Sequence, residues 1–219
     1  APAVSLDGDL TGSVFGDDSA LLVDGVNNKI VGPVDTASLR TSELTIALGA
    51  LAGETNQGLT AVAIGGAAGY TDQSTGALAV GYGAGYTGQG VDTVAVGKSA
   101  GRSNQGVSAV AVGESAGYTT QSANAVALGF EAGKTTQGNS AVAIGYLAGE
   151  TTQGVDAVAV GKSAGRVNQG ESAVAIGEAA GFGNQAANSI VINATGAVVE
   201  NTTASSLVVK PIRNLAMTT

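Results

Sequence analysis

The side chains of this chain that could do chemistry are amides, hydroxyls, phenols and carboxylates, because it contains no histidine and no cysteine. That composition excludes imidazole acid–base work, a Ser/His/Asp triad, thiol nucleophiles and the usual ligands of transition metals. What remains is arranged by period. Gln57, Gln73, Gln89, Gln105, Gln121, Gln137, Gln153, Gln169 and Gln185 recur sixteen residues apart. An amide both donates and accepts, so such a column can satisfy itself as a ladder, each side chain bonding the next; the competing reading is a row of ligand contacts. Thr55, Thr71, Thr87, Thr119, Thr135 and Thr151 form a second column, broken by Ser103, Val167 and Gly183. It admits an ice- or crystal-binding face, although Thr is also a good strand former.

Aromatics and charges vary within the same frame. After one framed glycine stand Tyr82, Lys98, Glu114, Phe130, Tyr146, Lys162 and Glu178; after another stand Glu54, Tyr70, Tyr86, Arg102, Tyr118, Lys134, Glu150, Arg166 and Phe182. Variable positions of a repeat point outward. In adjacent coils they meet as Lys98 with Glu114, Lys162 with Glu178, Tyr70 with Tyr86 and Phe130 with Tyr146, while Lys134, Glu150 and Arg166 alternate in sign. Tyr70, Tyr82, Tyr86, Tyr118, Phe130 and Tyr146 are the candidate contacts for a glycan or a protein receptor; the alternative role for all of them is cross-coil stabilisation.

Other motifs carry less. Gly83-Ala84-Gly85-Tyr86-Thr87-Gly88 has dinucleotide-fingerprint spacing, but no helix pattern follows it, as that site requires. Asp7, Asp9, Asp17 and Asp18 could supply oxygen ligands to Ca²⁺, yet acidic turns of this kind are common without metal. Asn193-Ala194-Thr195 and Asn201-Thr202-Thr203 match the glycosylation sequon. No carboxylate pair is singled out for glycosidase work. The reading is therefore of a non-enzyme with no catalytic residue, cofactor or metal.

The elements that position these columns follow from the period. The first framed Gly falls at 49, 65, 81, 97, 113, 129, 145, 161 and 177, and the second, each preceded by Ala, four residues later. Unbroken register means stacked, near-identical coils. Before the first Gly, Ala141-Val142-Ala143-Ile144 alternates with period two, a strand pattern; Ala148-Gly149-Glu150-Thr151-Thr152-Gln153 supplies a second short strand. A helix is excluded by the glycines and collagen by their spacing. Two strands and two turns make a flat coil, and coils stacking at about 4.8 Å give nine a length of about 43 Å. Val, Ile and Leu flank an Ala in each first strand, so the branched columns are expected inside, and the column Ala47 to Ala175 on the opposite face. Burying two branched residues per coil falls short of the entropy of ordering the backbone, so the Ala face is expected to receive another copy of the chain.

Three segments result: residues 1–42, a β cap or connector with turn signals and Pro33-Val34-Asp35 leading out of it; residues 43–193, nine full coils and a terminal partial one; and residues 194–219, a second β cap with a strand at Ser206–Val209 stopped by Pro211. Aromatics make up only 4% of the residues, which suits a thin cross-section better than a thick core. A net charge of −8 gives no electrostatic reason to bind nucleic acid. No apolar run reaches the ~18 residues of a membrane span, and Ala1-Pro2-Ala3-Val4 lacks signal-peptide character, with upstream processing left open. Without cysteine the redox compartment is undetermined.

Ser140-Ala141-Val142-Ala143-Ile144-Gly145 and Ser172-Ala173-Val174-Ala175-Ile176-Gly177 resemble the head repeats of YadA-type trimeric autotransporter adhesins. The resemblance implies a left-handed parallel β-roll of three intertwined chains, although that family's repeat is usually somewhat shorter than sixteen residues. The flanks Gly8-Asp9-Leu10-Thr11-Gly12-Ser13-Val14-Phe15 and Leu21-Leu22-Val23-Asp24-Gly25-Val26-Asn27, with Val198 to Thr203 and Val208 to Asn214, resemble modules of tail-fibre-like virion proteins of marine cyanobacterial viruses. Together these resemblances imply an all-β homotrimeric fibre of a virion, in contact with other virion proteins and reaching toward a host surface. The alternative is a bacterial surface adhesin head or extracellular filament subunit; a polysaccharide-degrading tailspike and an ice-binding solenoid rank below both.

Overall fold

The computed structural model describes residues 14–15, 21–24, 29–30 and 45–212. The acidic turn Asp7, Asp9, Asp17, Asp18 and the Pro33-Val34-Asp35 connection lie outside these residues. The chain divides into two units, 1–42 and 43–219. In the first, Val14–Phe15 and Lys29–Ile30 pair antiparallel with the two edges of Leu21–Asp24.

The second unit is an all-β solenoid of about ten turns. Each sixteen-residue coil adds one strand to a parallel eleven-stranded sheet, beginning at Ile46–Leu48, and most add one to a parallel eight-stranded sheet, Thr55–Gln57 through Val167–Gln169. Register is kept throughout: Ala95 pairs with Ala79 on one side and Ala111 on the other. The C-terminal segment continues the larger sheet, with Leu207–Lys210 lying parallel beside Ile190–Asn193.

Backbone groups of one coil are satisfied by the coils on either side, which is how stacked parallel strands pair their buried amides. The N–H of Gly101 donates forward to the Ala116 carbonyl (2.8 Å), and that of Ser99 backward to Tyr82 (2.9 Å). Alternation of this kind needs residues in the left-handed region. Ser99, Asn104 and Ser108 have φ of 57°, 56° and 56°. Ser tolerates such a φ and Asn favours it, because short polar side chains offset part of the strain locally. The first framed glycine has a further reason to be glycine: at Gly97 (φ 130°) a Cβ would come within 2.6 Å of the Gly113 carbonyl oxygen in the next coil.

The face assignment is the reverse of the sequence expectation. The alanine columns are inside and the branched columns outside. Ala63, Ala79, Ala95, Ala111, Ala127, Ala143, Ala159 and Ala175 are fully buried, as is the column Ala68 to Ala180 that precedes the second glycine. By contrast Ile46, Leu48, Ile64, Leu128 and Ile176 are between 38% and 59% exposed. The interior is about one methyl group wide. At Gly117, a hypothetical Cβ would lie 3.2 Å from the Ala111 methyl across the coil. In these coils a branched side chain would overfill that space, whereas the C-terminal turn admits Val191 and Val199 in the same two columns; side-chain size rather than hydropathy decides which way the repeated strand faces. The remaining interior is filled by the glutamines.

Candidate functional site

Gln73, Gln89, Gln121 and Gln137 are at most 1% exposed. The Nε2 of Gln121 donates to the carbonyl of Val110 (2.8 Å) across the coil, to that of Ala125 (3.3 Å) and to Oε1 of Gln137 (3.1 Å) in the next coil. The same amide-to-amide bond joins Gln57 to Gln73, and links Gln89 through Gln105, Gln121, Gln137, Gln153 and Gln169 to Gln185. It is interrupted between Gln73 and Gln89, where Gln89 Oε1 is buried without a partner. Each glutamine folds under the second framed glycine: a Cβ at Gly101 would lie 2.6 Å from Gln105 Oε1. Gly and Gln therefore recur together because one makes space for the other. The amide donors are consumed internally and offer no row to a ligand.

The aromatic and basic side chains that face solvent cluster at the corners around the two framed glycines, while exposed carboxylates such as Asp72, Asp92, Asp156 and Glu171 lie elsewhere on the coils. Tyr70 stacks on Tyr86, with centroids 4.9 Å apart and planes 18° from parallel. Arg102 continues that stack: its guanidinium carbon lies 5.2 Å from the Tyr86 centroid and 5.4 Å from that of Tyr118, and it donates a hydrogen bond to the Tyr118 hydroxyl. In the other column Phe130 stacks on Tyr146 (5.3 Å, 11°). Tyr82, Phe130 and Tyr146 are 69%, 40% and 50% exposed. Tyr70, Tyr86 and Tyr118 are half-buried.

The charged residues pair along the same columns. Lys98 meets Glu114 at 2.8 Å, Lys162 meets Glu178 at 2.6 Å and Arg166 meets Glu150 at 2.5 Å. Lys134 departs from the expected alternation: its partner is Glu131 in the same corner, at 2.8 Å, and not Glu150. The signal for this was a three-residue spacing that cross-coil reasoning passed over. Hydrogen bonding to Glu114 and Glu178 is the main reason that Lys98 and Lys162 hold their protons above the ordinary lysine range. These pairs are exposed and add little to stability.

One recess on this surface is formed by Ala67, Tyr82, Gly83, Tyr86, Ser99 and Arg102, with a volume of about 160 Å³. A broader depression of about 330 Å³, lined by residues including Asn56, Asp72, Gln73 and Thr75, is open to solvent. There Asn56 donates to Asp72 at 2.8 Å, so two of its polar groups are already paired.

The remaining sequence candidates are accounted for individually. Gly83 to Gly88 forms a turn running into Thr87–Gln89, with no helix to receive a pyrophosphate. Thr71 and Thr87 pair in register in the smaller sheet. Asn193 of the first sequon is buried and donates to the carbonyls of Glu178 (2.7 Å) and Ala197 (2.6 Å). Asn201 is buried also. Among the described residues, no three acidic side chains come together to hold a metal ion. Compared with protein-family models, with curated proteins and with solved structures, the chain matches none.

Proposed function

We propose that this chain is a structural fibre segment of a phage particle, a tail-fibre-like spacer whose reach is set by its number of coils. In this reading it is not an enzyme. It associates with itself as an intertwined, left-handed homotrimer, joins other virion proteins, and turns its corner aromatics toward a host-surface glycan or protein. The observation that supports it is nearest-neighbour stacking. Coil-to-coil hydrogen bonds and an unbroken register make a unit that can lengthen without redesign. Its viral setting comes from the resemblance of the flanks.

Self-association is carried in this reading by the outward Val, Ile and Leu columns, since the alanines are spent inside the coil. Two columns about 6.6 Å apart, running over about ten coils spaced at 4.8 Å, make an apolar strip of roughly 300 Å² in projection. That is about the size of the largest apolar patch on a typical monomer, which is itself often functional.

The test is electron microscopy of virions labelled with an antibody against the purified chain, combined with sedimentation of that chain. Label along tail or fibre and a trimeric mass are expected. Label on a bacterial envelope instead would favour an adhesin head or filament subunit, the reading that the Ser140–Gly145 repeat supports. A stable folded monomer would overturn the assembly.

A further inference from the structure

The array contains its own control for the recess beside Arg102. Residues 87–117 closely match 151–181, an offset of sixty-four, so the corner from Ala67 to Arg102 has a counterpart from Glu131 to Arg166. Tyr82, Ser99 and Arg102 correspond to Tyr146, Ser163 and Arg166. Of the six lining positions three differ: Ala67 against Glu131, Gly83 against Leu147, and Tyr86 against Glu150. The consequence is local and large. In the downstream corner Leu147 is buried, Ser163 is buried, and Arg166 is neutralised by Glu150 at 2.5 Å. In the upstream corner Gly83 leaves the space open: a Cβ there would meet only Ser99 Oγ, at 3.8 Å. Ser99 is half-exposed, and among the described residues Arg102 has no carboxylate within ion-pair distance.

Arg102 is also held ready. Tyr86 and Tyr118 face its guanidinium from the coils on either side, and one N–H is used by the Tyr118 hydroxyl. Five N–H donors in a fixed plane leave enough for a carboxylate. The recess of about 160 Å³ has room for roughly five waters. It is smaller than the ~300 Å³ at which drug-sized ligand sites begin, so it suits one sugar ring. Tyr82 supplies exposed ring surface, Tyr86 a ring edge, since its faces are taken by Tyr70 and Arg102, and Ser99 a hydroxyl. The chain's net charge of −8 disfavours general adhesion to polyanions, so an anionic partner must be held locally.

We propose that the cleft of Tyr82, Gly83, Tyr86, Ser99 and Arg102 binds a carboxylated sugar, a uronic-acid unit of a surface polysaccharide. The carboxylate is received by Arg102, a C–H face of the ring by Tyr82, and a ring hydroxyl by Ser99. This deepens the attachment part of the function proposed above and rests on that reading for its biological role alone.

The test is titration of the purified full chain with methyl β-D-glucuronide, methyl β-D-glucoside and inorganic phosphate, followed by NMR. The glucuronide should bind saturably, and the glucoside about tenfold or more weaker, because it forgoes the charge-assisted bonds. Gly83→Leu should close the cleft and abolish binding while the fold is kept, since Leu147 and Leu51 adopt this conformation at the same place in their coils, with φ of 57° and 60° against 62° for Gly83. Arg102→Gln should remove the preference for glucuronide over glucoside. The triple variant Glu131→Ala, Leu147→Gly, Glu150→Tyr should acquire a second site. The proposal is overturned if the glucuronide does not bind saturably, if glucoside or phosphate binds as well as it does, or if Gly83→Leu folds and still binds. None of these outcomes bears on the microscopy of virions, so the cleft and the fibre stand or fall separately.

Discussion

Removing residues 97–160 in frame should shorten the solenoid by four coils and leave it folded. The deletion joins Val96 to Gly161, replacing a Val–Gly junction with an identical one, and the two glycines share a backbone conformation, φ 130° at Gly97 and 129° at Gly161. All but three columns then close on the residue they met before; Val167 replaces Ser103, Glu171 replaces Val107 and Ile176 replaces Val112. Ala95 precedes the new junction as Ala159 does in the intact chain, Gln169 follows Gln89 in the amide ladder, and Lys162 follows Tyr82 as Lys98 did. Arg166, released from Glu150, comes to lie over Tyr86 where Arg102 lay, and Ser163 takes the place of Ser99. The uronic-acid cleft is thereby rebuilt in the shorter protein.

At the β-sheet spacing, four coils amount to about 19 Å. With about ten turns in the intact solenoid, the surface exposed on unfolding, and the denaturant m-value with it, should fall by about four-tenths. Particle length by electron microscopy or small-angle scattering, together with urea unfolding followed by circular dichroism, measures both. A shortened rod that unfolds cooperatively is expected. A deletion variant that does not fold, or that folds with its length unchanged, would refute nearest-neighbour stacking as the source of this structure.

Four further outcomes follow from named contacts. Gln121→Met keeps the volume but withdraws the donor from the Val110 carbonyl and Gln137 Oε1, and should cost about 2–6 kcal/mol at 1–3 kcal/mol per buried group left unpaired, measured by urea unfolding. Gln121→Glu places a carboxylate among those acceptors, so its folded pKa rises; its stability should be greatest below the unfolded value of about 4.3 and should fall as pH climbs toward the folded one, which a pH series of melts would detect. Ala111→Leu, Ala127→Leu and Ala143→Leu should each unfold coils through overpacking, whereas Val110→Thr, Val126→Thr and Val142→Thr together should leave the circular dichroism intact and weaken self-association in sedimentation. The bonds from Lys98 to Glu114 and from Lys162 to Glu178 should persist at neutral pH and be lost as pH rises through their raised lysine values, with little change in melting temperature because both lysines are exposed.

The period, the strand in Val94-Ala95-Val96 and the parallel coil were legible because repeated residues must occupy repeated places. The direction in which the strand faces was not. Hydropathy puts Val94 and Val96 inside, and only closure of the sixteen-residue coil reveals an interior too narrow for them. The left-handed residues left a readable trace that the strand pattern masked. The column Asp92, Ser108, Asn124, Ser140, Asp156, Ser172 and Asn188 contains only small polar residues, and every one has a φ between 53° and 58°. The cleft depends on what is missing at Gly83. Its trace in the sequence was the contrast with Leu147 and Glu150 sixty-four residues on, whereas pairwise matching of exposed aromatics pointed to stacks already satisfied by each other.

The two kinds of outward position answer to different constraints. Along the larger sheet the positions on either side of each buried Ala hold Val, Ile or Leu in every framed coil, although they contribute nothing to the interior. At the corners, Tyr82, Lys98, Glu114 and Phe130 succeed one another freely, and each is matched only to the coil beside it. A corner side chain needs one compatible neighbour, so variety there costs nothing to the fold. Uniformity over the full length suits the in-register ladder itself, where like branched residues stack on one another, and it also suits a surface that meets something equally long and equally regular. A second copy of the same array, advancing by the same 4.8 Å step, meets that requirement in every coil at once. A small ligand meets it in none. On the proposed function the surface divides accordingly: the branched face would serve assembly, and the corners, where Gly83 stands in place of a Leu, are where one coil could acquire a contact without disturbing the rest.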